Sequence, residues 1–165
     1  MGLKLSQLPD GQSIFLDANI FLYSAFDHPV FGEACRDFLV RVDREEVHGY
    51  CSAFVLNEVF HKLMISEIVE KFGVQAKAAS GLFKQRPEII RELSDLWAEM
   101  DIIKSVNITI LNGQIFPEFV DLSKKYRLLA MDSAHLAVMR QNDLTNLATN
   151  DADFGRVAEL KIWKP

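Results

Sequence analysis

The sequence is poor in several features that mark large classes of protein. It has only two cysteines, Cys35 and Cys51, both within apolar segments, and no cysteine–histidine spacing of the kind that binds zinc. We therefore expect two buried free thiols and no disulfide, as in a reducing cytoplasm. The P-loop and the glycine-rich dinucleotide fingerprint are also missing, so no nucleotide cofactor is expected.

Long hydrophobic runs are absent as well. No segment approaches the roughly 20 apolar residues of a membrane span, and the first 13 residues hold no run long enough for a signal peptide. We expect a cytoplasmic protein without a membrane partner. The chain also lacks repeats, low-complexity tracts and linkers, and 165 residues suit one domain over 1–165.

Positive charge is not in excess. The chain has 18 Lys and Arg against 23 Asp and Glu, a net charge of −5. This balance argues against a broad basic surface that coats nucleic acid. It does not exclude a nuclease, because a metal site needs carboxylates and a local basic strip is enough to hold phosphates.

Short apolar runs alternate with helical patterns along the chain. Strands are predicted at residues 13–17, 47–52, 102–111, 147–149 and 160–163. Helices are predicted at residues 18–26, 30–44, 54–72, 87–100, 116–126 and 128–140, with partial helix at 73–86. This alternation predicts a three-layer α/β/α fold with a mostly parallel central sheet of about four or five short strands.

Four acids occupy the boundaries of these elements. Asp17 and Asp151 each follow a short strand, whereas Asp132 and Glu58 lie in the first turns of helices. In an open parallel sheet these boundaries meet at the carboxyl edge, so we expect the four acids to converge there. Carboxylates so close together repel one another unless a cation neutralises them, and oxygen ligands suit Mg²⁺ or Mn²⁺.

Each acid also has a simpler interpretation. Asp17 and Asp132 could cap or support helix starts, Glu58 could point to solvent, and Asp151 could be a turn residue. It is the pattern of all four that favours a site.

Three other polar residues near these acids also have two interpretations. Asn19 could orient the Asp17 carboxylate or cap the helix, and Asp153 could cap the turn that follows it. His135 shares an apolar helix face, which favours a hydrogen-bonded core histidine over a base or ligand.

Four short motifs carry a family resemblance. FLDANIFLY at 15–23, SAFVLNEVF at 52–60, DSAHLA at 132–137 and LATNDADF at 147–154 resemble the PIN-domain ribonucleases. Within that family, the motifs are similar to those of the VapC-like toxins of type II toxin–antitoxin pairs. Residues 62–113 match no motif.

The resemblance implies a function and a set of roles. It implies a metal-dependent endoribonuclease that uses Mg²⁺, with Mn²⁺ as a possible substitute, and cleaves RNA. The implied partners are a second copy of the chain, as a homodimer, and an antitoxin protein. The implied catalytic and metal-binding residues are Asp17, Glu58, Asp132 and Asp151, with Asn19, Thr149 and Asp153 in support.

Two other classes of function stay open at this point. A haloacid-dehalogenase-like or receiver-type phosphotransfer domain would also place an aspartate after its first strand, although the former needs a second aspartate where Asn19 stands. A non-catalytic PIN scaffold that binds RNA or protein is the other alternative.

Overall fold

A computed structural model of the protein describes residues 2–165 and has one six-stranded sheet in which every pairing is parallel. The strands lie in the order β1-β6-β5-β2-β3-β4. Their bounds are β1 Leu3–Lys4, β2 Ser13–Leu16, β3 His48–Ser52, β4 Ile108–Leu111, β5 Asn146–Ala148 and β6 Lys161–Lys164. The sheet thus has one strand more than expected, because the two residues of β1 are too few to produce an alternating pattern.

Helices connect the strands and flank the sheet, which confirms the predicted three-layer fold. Their bounds are α1 Ala18–Ala25, α2 Gly32–Asp43, α3 Ala53–Phe72, α4 Ala76–Gln85, α5 Ser94–Ser105, α6 Glu118–Tyr126 and α7 Ala130–Gln141. Short 3₁₀ helices cover Leu5–Gln7, Pro87–Glu92 and Asp153–Arg156. No helix in residues 2–165 is both long and apolar enough to cross a membrane.

Two predictions for the middle of the chain were wrong. The helix predicted at 87–100 is a 3₁₀ helix followed by a new helix, α5, and the strand predicted at 102–111 begins only at Ile108. The restart has a tertiary cause, because the Glu67 carboxylate of α3 accepts the backbone N–H groups of Asp95 and Leu96. The β-branched Ile102 and Ile103 are then carried along as the last turns of α5.

The core lies on both sides of α7. Leu136 and Ala137 pack with Leu122 of α6, whereas Val138 and Met139 pack into the main core with the sheet. Because α7 is buried on two sides, its first turn, which carries Asp132, is held firmly in place.

The two cysteines behave as predicted. Cys35 and Cys51 are both free and fully buried in the main core. Burial raises the pKa of each thiol to about 12, so both stay protonated and unreactive at neutral pH.

The order of the strands defines where a ligand can bind. From β2 the chain moves outward to β3 and β4, and it then returns to the other side of β2 to form β5. Neighbouring connections therefore leave β2 and β5 in opposite directions, which opens a crevice at their carboxyl ends. Asp17 follows β2 directly, and Asp151 lies three residues after β5.

Candidate active site

Asp17 directly follows β2, at the carboxyl ends of the central strands, and is 7% exposed. Its carboxylate accepts the backbone N–H of Ala18 at 2.7 Å, so it caps α1. Burial raises the pKa of Asp17, while the Thr149 hydroxyl and nearby His135 act in the opposite direction. The capping interpretation of Asp17 therefore holds, and its role in a site stays a prediction.

Thr149 joins the two strand ends through its hydroxyl group. The hydroxyl donates to Asp17 Oδ2 at 2.6 Å and accepts from Asn19 Nδ2 at 2.9 Å and from the Asp151 N–H at 2.9 Å. The Asn19 amide also donates to Asp17 Oδ2, at 2.7 Å. Asn19 and Thr149 thus both donate to the Asp17 carboxylate and fix its orientation.

Asp151 starts a compact turn. Its Oδ1 accepts the backbone N–H of Asp153 at 2.8 Å, which is the turn geometry that an aspartate favours. Asp153 does not cap the 3₁₀ helix that it begins, so that prediction was wrong; its carboxylate instead pairs with Arg156 at 2.6 Å. The second Asp151 oxygen takes part in no hydrogen bond within residues 2–165.

Glu58 is held between two cationic or polar groups. Lys62 Nζ lies 2.6 Å from Oε1, and His135 Nε2 lies 3.6 Å from Oε2, beyond the length of a normal hydrogen bond. The contact with His135 and then the ammonium of Lys62 lower the pKa of Glu58 to about 2, against the effect of partial burial. Glu58 is therefore ionised at neutral pH, and its side chain is 24% exposed.

His135 is a core residue, but it is not the hydrogen-bonded histidine that was expected. It is 1% exposed, and neither ring nitrogen has a hydrogen-bond partner within residues 2–165. One ring edge faces Glu58, and the ring lies 6.1 Å from that of Phe15. A buried polar ring without partners is costly, so its place beside the acids calls for a functional account.

Asp132 feels the charge of the other three acids. Burial, followed by repulsion from Asp151 and Asp17, raises the pKa of Asp132 to about 6, and Glu58 adds to the repulsion. Asp132 makes no capping hydrogen bond at the start of α7, so the capping interpretation fails for this residue. Ionisation of the Asp132 side chain is therefore made less favourable by the negative charge nearby.

The donor set fits a hard divalent cation, although it is not closed around one. Within residues 2–165 no three Asp, Glu, His or Cys side chains are arranged as a ready-made ion site. The unrelieved repulsion at Asp132 is the feature that a cation would remove, and the available ligands are carboxylate oxygens. To bind an ion, the Glu58 carboxylate would have to move away from Lys62, and the Asp17 carboxylate away from Thr149.

The raised pKa of Asp132 predicts how stability depends on pH. The folded state binds this proton more tightly than the unfolded chain, whose pKa is near 3.8, so stability is lost as pH rises from about 4 to about 6. Without metal, Asp132→Asn should be more stable than wild type at pH 7.5 by on the order of 1 kcal/mol, a value reduced for partial solvent screening. Near pH 4 the advantage should vanish.

Urea unfolding in EDTA at both pH values measures this effect. The control is Asp101→Asn, whose side chain is 74% exposed and pairs with Lys104. An equal stability difference for Asp132→Asn at the two pH values would contradict the repulsion argument.

Two residues of the site escaped the sequence interpretation. The Asn150 N–H donates to Asn19 Oδ1 at 3.4 Å, and Arg156 donates to Asp153 and to the backbone oxygen of Arg127. Asn150 stands within the quoted LATNDADF motif and could have been named. Nothing local marks Arg156 as a link between two segments, because one of its partners, Arg127, lies 29 residues earlier in the chain.

The fold and the site together define a class of protein: a parallel α/β sheet with a group of acids at its switch point. Residues 14–160 match the family model of the PIN domain, and the chain belongs to the PIN-domain family. Ribonuclease VapC2 of Methanocaldococcus jannaschii is 26% identical over 151 residues, which are 90% of this chain and 91% of that protein. The resemblance to VapC-like PIN ribonucleases is therefore confirmed.

Solved structures agree on the fold. A chain of VapBC2 from Rickettsia felis, bound to a DNA fragment from its promoter, has a TM-score of 0.60 at 16% identity and matches 92% of this chain and 98% of its own length. A chain of VapBC-1 from nontypeable Haemophilus influenzae has a TM-score of 0.52 at 15% identity, over 92% of this chain and 97% of its own. At these identities the likeness supports the architecture alone.

Proposed function

We propose that this protein is a metal-dependent endoribonuclease that hydrolyses phosphodiester bonds of single-stranded or loop RNA. The observation that carries the proposal is that the chain belongs to the PIN-domain family and has Asp17 and Asp151 after the two central strands, β2 and β5. The name of the archaeal relative, a ribonuclease, supports the same reaction. In this proposal residues 1–165 act as a single PIN-like nuclease domain.

Asp17, Asp132 and Asp151 would supply the oxygens that hold Mg²⁺, and Glu58 would complete the set or orient the attacking water. When bound, Mg²⁺ activates water as a nucleophile and stabilises charge at the leaving oxygen. Thr149 and Asn19 keep Asp17 in place, because both donate hydrogen bonds to its Oδ2. The buried position of Asp17 ensures that its orientation is set before substrate arrives.

Glu58 is suited to act on the water. It is ionised at neutral pH, because His135 and Lys62 lower its pKa to about 2. Such a weak base is a better orienting acceptor than a proton carrier. His135, whose ring nitrogens have no hydrogen-bond partner within residues 2–165, stands where it can steady the Glu58 carboxylate once Lys62 moves toward phosphate.

The biological setting is part of the proposal. The matched structures from Rickettsia felis and Haemophilus influenzae are VapBC assemblies, which supports an antitoxin protein as partner and a toxin role for this chain. A homodimer in the cytoplasm is the expected free form. Co-expression with the product of an adjacent small reading frame, followed by co-purification, tests the antitoxin.

Cleavage of a fluorogenic single-stranded RNA tests the reaction. With Mg²⁺ we expect multiple turnovers, and with Mn²⁺ comparable activity. With EDTA we expect the rate to fall about 100-fold or more, because a bound metal ion lowers the activation barrier by several kcal/mol. Activity should return when Mg²⁺ is added in excess of EDTA.

Two results would contradict the proposal. Equal cleavage in Mg²⁺ and in EDTA would argue against a metal reaction. RNA binding without cleavage at any metal concentration would favour the non-catalytic scaffold.

A further inference from the structure

Arg156 lies at the edge of the acid site and uses both ends of its guanidinium. Nη2 donates to Asp153 Oδ1 at 2.6 Å, and Nη1 donates to the backbone oxygen of Arg127 at 2.6 Å. Two short contacts from one planar group fix its orientation as well as its position. None of the motifs that carry the family resemblance includes this residue.

The first contact leads to Asp151. Arg156 holds the Asp153 carboxylate, and the Asp153 backbone N–H in turn donates to Asp151 Oδ1 at 2.8 Å. The orientation of the Asp151 carboxylate therefore depends on a turn that Arg156 stabilises through Asp153.

The second contact leads to Asp132. Arg127 ends α6 in the left-handed conformation, with φ +56°, and the next residue is pinned to α6 by the Ser123 hydroxyl, which donates to the Leu128 oxygen at 2.8 Å. α7, with Asp132 in its first turn, begins three residues after Arg127. Arg156 therefore binds the turn between α6 and α7, which immediately precedes the helix that carries Asp132.

We propose that Arg156 is a positioning residue that sets the spacing between Asp132 and Asp151 by joining the two chain segments that carry them. The inference rests on the proposed function, since the spacing matters because both acids are to hold one cation. Groups behind the ligands of a metal commonly change its affinity by about 10- to 100-fold when they are removed.

The geometry asks for arginine in particular. A lysine keeps the positive charge but has one compact ammonium, which cannot reach two acceptors in fixed directions as the planar fork does. A purely electrostatic role would therefore survive Arg156→Lys, and a joining role would not.

An ordinary surface ion pair is the simpler explanation of the same contact. The Arg156 and Asp153 side chains are 46% and 37% exposed, and pairs of this kind contribute little to stability. That explanation predicts no change in metal binding. The matched control is Arg36, which has the same 46% side-chain exposure and pairs with Asp27 at the same distance of 2.6 Å, but joins no acid-bearing segments.

Calorimetric titration of the protein with Mn²⁺, without RNA, is the deciding measurement. We expect Arg156→Met and Arg156→Lys each to weaken Mn²⁺ binding about 10-fold or more, and Arg36→Met to leave it unchanged. In RNA cleavage the Arg156 variants should need more metal for half-maximal rate, with KM for RNA nearly unaltered and kcat largely restored at high metal.

The outcomes separate the inference from the function on which it rests. Tight Mn²⁺ binding by wild type and by both Arg156 variants would overturn the inference and leave the nuclease proposal standing. Full rescue by Arg156→Lys would overturn it too, in favour of charge alone. Wild type that binds no Mn²⁺ would overturn both. If Arg156→Met fails to fold, Arg156→Lys, which keeps the charge and the aliphatic stem, decides the question.

Discussion

Asp17→Asn should cleave RNA at least about 100-fold more slowly than wild type, with only a small change in thermal stability. Asparagine removes the negative charge that would hold the cation and leaves a single acceptor oxygen. A metal ion that is poorly held forfeits several kcal/mol of barrier reduction, and each 1.36 kcal/mol is tenfold in rate.

The small effect on stability follows from two opposing terms. Burial raises the pKa of Asp17, so the charged form is costly in the folded protein and its removal is favourable. Against this, Oδ1 accepts from Ala18 while Oδ2 accepts from Asn19 and Thr149, and one amide oxygen cannot serve both positions. The lost hydrogen bond costs about 0.5–1.5 kcal/mol.

Rates on fluorogenic RNA at saturating Mg²⁺, together with melting curves in EDTA, measure both parts of this prediction. Asp101→Asn is the control, since that exposed acid forms an ion pair with Lys104 and lies outside the proposed site. Cleavage by Asp17→Asn at the wild-type rate would remove Asp17 from the site. Unfolding of the variant would mean that its role is capping.

Glu67→Ala should lower the free energy of unfolding by about 2–4 kcal/mol, the largest stability effect that we expect from a single charged residue. Glu67 is 5% exposed, and its carboxylate accepts the N–H groups of Asp95 and Leu96 and pairs with Lys71 at 2.7 Å. Alanine leaves two donors at the start of α5 without a partner. An acid at a helix start is also favoured by the helix dipole.

The pH dependence of this effect has a definite sign. Burial opposes ionisation of Glu67, but Lys71 and the two backbone donors outweigh it and lower the pKa below its usual 4.5. The stabilisation is therefore complete above about pH 5 and is lost as pH falls through the lowered pKa. Wild type and Glu67→Ala should approach each other in acid.

Urea unfolding followed by the fluorescence of Trp97, which lies on α5, measures the loss. Glu70→Ala, an exposed acid on the same helix, is the control and should change stability by less than about 0.5 kcal/mol. A Glu67→Ala protein as stable as the control would refute the proposed support of α5.

Part of the candidate site could be predicted because its residues carry local signals. Asp17 directly follows the buried run Ile14–Leu16, and Asp132 lies one turn into an apolar helix, so each position is marked by its own neighbours. Parallel strands deliver their carboxyl ends to one edge, which made convergence of the acids a reasonable expectation. The raised pKa of Asp132 agrees with it.

The middle of the chain shows where such prediction fails. Residues 87–111 carry apolar residues that suit either a helix or a strand, and the choice was made by contacts with distant residues. Glu67 starts α5 from 28 residues away, and Asp43 accepts the N–H of Asn107 from 64 residues away. Local propensity is too weak to oppose such contacts.

The sequence by itself determined the class of fold, four of the six short strands and the position of the acids at the ends of these elements, because each of these depends on the spacing of apolar residues and on their nearest neighbours. Only the tertiary structure decided that His135 faces Glu58 without a hydrogen bond, that Thr149 ties β5 to Asp17, and that Arg156 joins two turns. The physical reason is that hydrogen bonds and Coulomb interactions act over a few ångströms in space, and the partners concerned lie 29 to 132 residues apart along the chain.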